Sequence, residues 1–189
     1  AYINTMTPIG LSCADSDGSG LLNAEYRIDD GNWAGYAGSV EFTIGNEGQH
    51  TISCRSQDQL GNVEEAREII VAVDNTAPVS AMDMGLPKAE TAGNTYLTSA
   101  TPISIVSLDP LSTQVASGVD SLYWVFNGNG HISGDSTALF YLNGPDGLYS
   151  LGYKATDHVQ NSEAIKSGSA YLDNTAPVTT VNVGTPKYQ

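Results

Sequence analysis

The feature that most constrains this chain is a stretch written twice. Residues 58 to 79 read D-Q-L-G-N-V-E-E-A-R-E-I-I-V-A-V-D-N-T-A-P-V, and residues 157 to 178 read D-H-V-Q-N-S-E-A-I-K-S-G-S-A-Y-L-D-N-T-A-P-V. The offset is 99 residues at Asp58 and Asp157 and again at Asp74 and Asp173. A fixed period of this size is the mark of a repeat architecture, in which one folded unit recurs along the chain. Each copy is an Asp-bearing turn, then a strand-like run, then the same six letters.

Aligning the copies yields the strands. Tyr2 to Ile9 matches Tyr96 to Ile103, and Ile9, Leu11 and Cys13 alternate with small or polar residues as Ile103, Ile105 and Ser107 do. Period two with one apolar face predicts half-buried strands. The turn that follows is compact in the first copy, D-S-D-G-S-G from Asp15. In the second it gains four residues between Asp109 and Ser117-Gly118. Ala24, Tyr26 and Ile28 then match Leu122, Trp124 and Phe126. Asp30-Gly31 and Asn127-Gly128 supply hairpin chemistry, since Asp or Asn before Gly tolerates positive φ. Val40, Phe42 and Ile44 match Ala138, Phe140 and Leu142. His50, Ile52, Cys54 and Ser56 match Tyr149, Leu151, Tyr153 and Ala155. Short strands with frequent turn signals and no helical period predict an all-β fold of two tandem Ig-like or fibronectin-III-like β-sandwiches.

The expected units are residues 1–77, residues 78–176, and a first strand of a following repeat in 177–189. The first unit begins at the position that Thr95 occupies in the second, so it is expected to be without the strand that 79–84 supplies. Residues 178–184, V-T-T-V-N-V-G, repeat that strand with no unit after them. The chain therefore reads as a fragment of a longer protein, or as a unit that donates its terminal strand head to tail to a homopolymer.

Charge narrows the partners. Twenty-one acidic residues against seven basic ones give a net charge of −14, which disfavours nucleic acid, whose phosphates need Lys and Arg. An acidic surface suits an extracellular protein and attracts divalent cations. No apolar run has the length of a membrane span. Cys13 and Cys54 fall on strands that face each other across an Ig-type core, where an inter-sheet disulfide is expected. Two free buried thiols are the alternative. A bridge would indicate an oxidising compartment.

Five motifs in order carry a family resemblance: D-x-D-G-S-G from Asp15, Y-R-I-D-D-G-N-W from Tyr26, E-G-Q-H-T-I from Glu47, D-x-x-G-N from Asp58, and D-N-T-A-P-V. Together they resemble the Ig-like repeats of large prokaryotic surface and secreted proteins. The second copy departs from the pattern, with Gln160 for the turn glycine and His131 in the place of Trp33. The resemblance implies a spacer, stalk or adhesive module, in some cases calcium-stiffened, or an accessory domain of a secreted enzyme. It implies a cell-surface or extracellular place in a prokaryote, with neighbouring repeats of the same protein as partners.

Calcium takes six to eight oxygen ligands. The candidates are Asp15, Asp17, Asp58, Asn62 and Asp74 in the first copy, and Asp109, Asp157, Asn161 and Asp173 in the second. The competing role for these side chains is to cap their own turns. Trp33 and Tyr36 are candidates for stacking on a glycan, against the plainer role of covering a sandwich edge. A protein ligand is equally compatible with an adhesive module. Catalytic signals are absent from the sequence: His50, His131 and His158 stand in unrelated contexts. Gly134-Asp135-Ser136 is not followed by the glycines of a protease nucleophile turn. The pairs Asp29-Asp30 and Glu64-Glu65 sit in polar turns. The expectation is a non-catalytic structural module.

Overall fold

The computed structural model describes residues 1–15 and 18–185. Seven strands come first: β1 (Tyr2–Ile3), β2 (Ile9–Ser12), β3 (Leu21–Ile28), β4 (Ala34–Tyr36), β5 (Ser39–Phe42), β6 (Gly48–Asp58) and β7 (Arg67–Val73). Nine follow: β8 (Val79–Met84), β9 (Lys88–Thr91), β10 (Asn94–Leu97), β11 (Ile103–Leu108), β12 (Val119–Phe126), β13 (Asn129–Ser133), β14 (Thr137–Phe140), β15 (Gly147–Asp157) and β16 (Lys166–Leu172). Among the described residues, β1 to β7 form one sheet ordered β1-β7-β6-β3-β4 and a second of β2 and β5. The rest form a sheet ordered β13-β12-β15-β16-β10-β9 and a second ordered β14-β11-β8. In each set the chain passes back and forth between the two sheets, with β3–β4, β6–β7, β12–β13 and β15–β16 as hairpins within one of them, the arrangement of an Ig-like or fibronectin-III-like β-sandwich.

The first seven strands recur as β10 to β16, with the same pairings. Tyr2 lies opposite Ala72 in the parallel pair β1–β7, and Tyr96 opposite Tyr171 in β10–β16. A register shift between Leu21 and Asn23 in β3 recurs between Val119 and Ser121 in β12. This bulge sits beside the turn that each long strand (β6 or β15) enters at its final Asp. Among the described residues, β8 and β9 have no counterpart strands. The hairpin from β9 to β10 turns on Ala92 and Gly93, both at positive φ, and the sequence reading did not anticipate it.

The repeat period also decides packing. Leu97, Ile103, Leu142, Tyr149, Leu151, Ala170 and Leu172 form the second core, with Met82 and Met84 of β8 against it. Ile44, Ile52, Val71 and Val73 form the first. Fully burying one such side chain contributes roughly 1.5–3 kcal/mol. The two cores are not equally closed. Ile103 and Ile105 are fully buried, whereas their equivalents Ile9 and Leu11 are only half-buried.

Turn chemistry follows the sequence in one hairpin and shifts in the other. Asn127 and Gly128 take positive φ between β12 and β13, as expected. In the first copy Asp29 is the left-handed residue, and Gly31 closes the turn by donating its N–H to the Ile28 carbonyl at 3.0 Å. Residues 178–185 form no strand here and are exposed.

The D-x-x-G-N turn keeps one geometry in spite of its altered residue. Gly61 has φ 87° and Gln160 has φ 72°, and in both copies the Asp N–H donates to the Asn carbonyl four residues on, at 3.0 Å. A left-handed conformation costs a side chain about 1–2 kcal/mol. Gly61→Gln is therefore expected to lower stability by about 1–2 kcal/mol, while Gln160→Gly leaves it unchanged or raises it by up to about 1 kcal/mol. Chemical denaturation of the two variants checks this contrast.

Candidate metal centre

Three chain segments meet where the two sandwiches join. Asp157 ends β15 and caps its own turn: the N–H groups of Val159 and Asn161 donate to Oδ1 at 2.9 and 2.8 Å, and Asn161 Nδ2 donates to Oδ2 at 2.7 Å. Asp109 follows β11, and its Oδ2 accepts the Gly118 N–H at 2.7 Å across the longer loop. Asp74 follows β7 in the other sandwich, held there by its N–H on the Ile3 carbonyl at 2.8 Å.

The linker Asp faces both ways. Its Oδ1 accepts the N–H of Thr76 at 3.1 Å, within the D-N-T turn. Its Oδ2 accepts the N–H of Ser117 at 2.6 Å, and its backbone carbonyl accepts Asn161 Nδ2 at 3.0 Å, both from the second sandwich. Asn4 of the first sandwich completes the joint by donating from Nδ2 to the Val159 carbonyl at 2.8 Å.

The result is a buried group of like charges. Asp74 and Asp157 are 0% exposed and Asp109 is 8% exposed. One carboxylate oxygen from each lies within 4.8 Å of the others. Among the described residues, the ion pairs involve other side chains. Asp109 Oδ1 and the Ser117 hydroxyl are buried without a hydrogen-bond partner. Burial first, and then the Asp74 and Asp157 carboxylates, hold the Asp109 carboxyl above the usual carboxylate range, against the opposing bond from Gly118. An isolated buried charge is expensive, and three without a counter-charge are more so.

The donor set fits a hard divalent cation. All the donors are oxygens, which suits calcium or magnesium and not a thiolate- or imidazole-seeking metal. Two oxygens on one calcium ion lie no more than about 5 Å apart, given Ca–O lengths of about 2.3–2.6 Å. The spacing of the three carboxylates meets that limit. The orphaned Asp109 oxygen and the Ser117 hydroxyl are available as further ligands.

The first sandwich carries the same two turns. Gly20 N–H donates to Asp15 Oδ2 at 2.9 Å, as Gly118 does to Asp109. Leu60 and Asn62 donate to Asp58 as Val159 and Asn161 do to Asp157. At the other end, Asp173 repeats Asp74: its N–H donates to the Leu97 carbonyl and its Oδ1 accepts the Thr175 N–H. Asp15 and Asp58 are half-buried and Asp173 is exposed. Of the nine sequence candidates, the structure brings together Asp74, Asp109, Asp157 and Asn161. Asp15, Asp58 and Asn62 form a second, open group, and Asp173 stands apart. Asp17 lies outside the described residues.

The expected Cys13–Cys54 bridge is corrected: both thiols are free. β2 ends at Ser12, so Cys13 lies past the strand, its N–H on the Gly38 carbonyl and its Sγ 3.8 Å from the same oxygen. Both cysteines line a cleft of about 290 Å3 with Tyr36, Glu64 and Arg67, in which the two sheets stand open. Burial pushes the Cys54 thiol up. The argument from oxidised cysteines to an oxidising compartment goes with the bridge.

Trp33 and Tyr36 do not form one platform. Arg27 and Arg55 lie over the Trp33 ring at 4.9 and 4.3 Å from its centre. Tyr36 packs edge-on against Tyr26, and burial together with the neighbouring Cys13 pushes its hydroxyl up to about 12. The histidines have separate contacts: His50 bridges Asp29 and the Asn46 carbonyl, His131 stacks on Trp124 and Phe126, and His158 bonds the Gly118 carbonyl.

No protein-family model matches the chain, and no curated protein matches it. Among solved structures, the fibronectin(III)-like modules of Clostridium thermocellum CbhA are similar at 10% identity and a TM-score of 0.47, covering 90% of this chain and 88% of that one. The D00–D0 domain of intimin is similar at 11% identity and a TM-score of 0.32, covering 92% and 95%. SGBP-B of the Bacteroides ovatus mixed-linkage glucan utilization locus, in complex with a mixed-linkage heptasaccharide, is similar at 11% and 0.31, covering 92% and 65%. These are likenesses of fold.

Ser117, Gly118 and Asn4 were missed as members of the site. The alignment of Ser19-Gly20 with Ser117-Gly118 was the available signal, because the glycine N–H holds the Asp in both copies. Asp109 also sets a pH dependence. Its folded carboxyl binds a proton more tightly than the unfolded one, so its contribution is fully present below about pH 4 and lost as pH rises through the raised folded value. In chelator, Asp109→Asn is expected to melt at a higher temperature than the parent at pH 7, and the difference should vanish below about pH 4. Thermal melts across that range check the sign.

Proposed function

We propose that this chain is a non-catalytic structural segment of a larger extracellular protein. Its two sandwiches act as a spacer stiffened by a calcium ion at their joint. The observation that carries this reading is the composite ligand set: Asp74 from one unit lies within 4.8 Å of Asp109 and Asp157 from the next. A cation there would neutralise carboxylates that no cationic side chain among the described residues pairs, and would tie the last strand of one unit to two loops of the other. Asp74, Asp109 and Asp157 would hold it, with the Ser117 hydroxyl beside them.

The connector supports the same reading. Val73 to Val79 passes from β7 to β8 through D-N-T-A-P, with no Gly or Ser run to loosen it. Pro78 is fully buried, fixes its own φ and biases Ala77 to extended geometry. Net charge of −14 and the resemblance to Ig-like repeats of prokaryotic surface proteins support a place outside the cell, where calcium sites of about 10⁻⁴–10⁻³ M affinity fill.

Calorimetric titration of the chelated protein with calcium is expected to show one site at the joint. Saturating calcium at about 100 times Kd should stabilise the fold by about 2.7 kcal/mol. Asp74→Ala should remove the calcium-dependent part of that stability, and scattering should show a less extended, more variable particle in chelator. Unchanged melting and scattering on calcium addition would overturn the cation.

A further inference from the structure

Strands β3 and β6 turn a row of polar side chains away from the first core. Asn23 lies opposite Gln57, Glu25 opposite Arg55 and Arg27 opposite Ser53, while the alternate residues Ala24 and Ile28 pack inward. Arg55 donates from Nε and Nη2 to one oxygen of Glu25, at 2.6 and 2.5 Å. The Ser53 hydroxyl donates to Glu68 at 3.1 Å, and Gln57 Nε2 to the Gly61 carbonyl at 3.3 Å. The Trp33 ring rests on Arg27 and Arg55. Beside them Gly35 of β4 stands opposite Glu25, with no side chain to cover it. The result is an open depression of about 170 Å3, whose lining includes Asn23, Glu25, Arg55, Gln57 and the exposed Val63.

The second sandwich shows that the fold does not need this set. Its β12 and β15 pair in the same register, Ser121 opposite Thr156 and Tyr123 opposite Lys154. Asn23, Glu25, Arg27, Arg55 and Gln57 are thus replaced by Ser121, Tyr123, Val125, Lys154 and Thr156, with no amide and no carboxylate. His131, in the place of Trp33, stacks on Trp124 and Phe126 instead. The first copy therefore assembles amides, an ion pair and an indole on one face at a cost to itself. Arg27 Nε is buried there without a hydrogen-bond partner among the described residues.

The face is also clear of the joint. The bonds across the joint reach Ser117, Val159 and Asn161 of the second sandwich. Ser121, Tyr123, Lys154 and Thr156, the counterparts of the depression, are not among them. Units that join in this way leave such a face uncovered.

We propose that this face of the first sandwich is a binding site for a neutral glycan. A sugar hydroxyl both donates and accepts, so neighbouring hydroxyls require donors and acceptors side by side. The amides of Asn23 and Gln57 each supply both, the second oxygen of Glu25 accepts, and the remaining N–H groups of Arg55 donate. Trp33 adds an aromatic surface held in place by two guanidiniums. Arg27 and Arg55 balance Glu25 and Glu68, so the face is locally neutral and matches an uncharged chain. A polyanion would meet the net charge of −14 of the whole molecule. A peptide strand would need a free sheet edge or apolar side-chain pockets, and this is a polar face of paired strands. Because those strands already hold the polar groups, little ordering opposes binding.

Affinity electrophoresis of the full chain tests this, run in chelator so that a cation at the joint plays no part. The native gels contain hydroxyethylcellulose, arabinoxylan or galactomannan, all neutral, or else polygalacturonate. At least one neutral polysaccharide is expected to retard the protein, and polygalacturonate is not. A triple variant, Asn23→Ser, Arg55→Lys and Gln57→Thr, takes the residues that the second sandwich carries in the same register, and should melt as the parent does. It is expected to lose affinity about tenfold or more. Asn23→Ala, at an exposed side chain, should weaken retardation by itself and gives the same answer if the triple variant is unstable. Retardation by no neutral polysaccharide, retardation by polygalacturonate alone, or full retardation of the folded variants overturns the site.

Discussion

Everything at the centre of this molecule depends on a carboxylate that one unit makes and the next unit uses. Asp74 is positioned by β1 and β7, yet its side chain and its carbonyl are bonded by Ser117 and Asn161 of the other sandwich. Burying that carboxylate beside two more raises the electrostatic cost of the joint, and the hydrogen bonds offset only part of it. Each of the three carboxylates accepts at least one backbone N–H group. Asp109, with one oxygen unpartnered, is held above the usual carboxylate range by burial and by its two acidic neighbours, against the Gly118 bond. A proton on Asp109 relieves part of that repulsion.

The second copy's loop has a role in that joint which its length alone does not disclose. Residues 110–116 include the four-residue insertion, close on themselves through Ser112 and Val115, and bury Val115. They bring Thr113 against the first sandwich, near enough to Gly48 that a Cβ there would lie 3.6 Å from its hydroxyl. The compact D-S-D-G-S-G loop of the first copy is four residues shorter at that place. The two copies therefore share a fold and two Asp-capped turns, and differ in the length of the loop that in the second copy meets the first sandwich.

The strands were legible because period-two alternation and a constant offset act locally, and each copy checks the other. The Asp-capped turns were legible for the same reason. Which of the candidate ligands meet was not legible: Asp74, Asp109 and Asp157 are brought together by the way one sandwich sits on the next. The disulfide expectation failed on a single strand end. Cys13 lies one residue beyond β2. The stacking of Arg27 and Arg55 on Trp33 was not legible either, because those residues are distant in sequence and adjacent only across β3 and β6. β9 escaped because Lys88 to Thr91 carries no alternation, all four residues being exposed.

The direction in which the chain crosses the second sandwich also decides how it would carry a pull. It enters at Val79 and leaves at Leu172, and β8 and β16 both run away from the joint, Ser80 and Lys166 being in contact near their starts. Tension between the two ends therefore acts along the strands, drawing β8 back past β11 and β16 forward past β15 and β10. Loaded in that sense, all six β8–β11 pairs and all seven β15–β16 pairs resist together, where a peeling geometry would break them one at a time. The second sandwich is therefore loaded in shear, and not peeled, when its two chain ends are drawn apart.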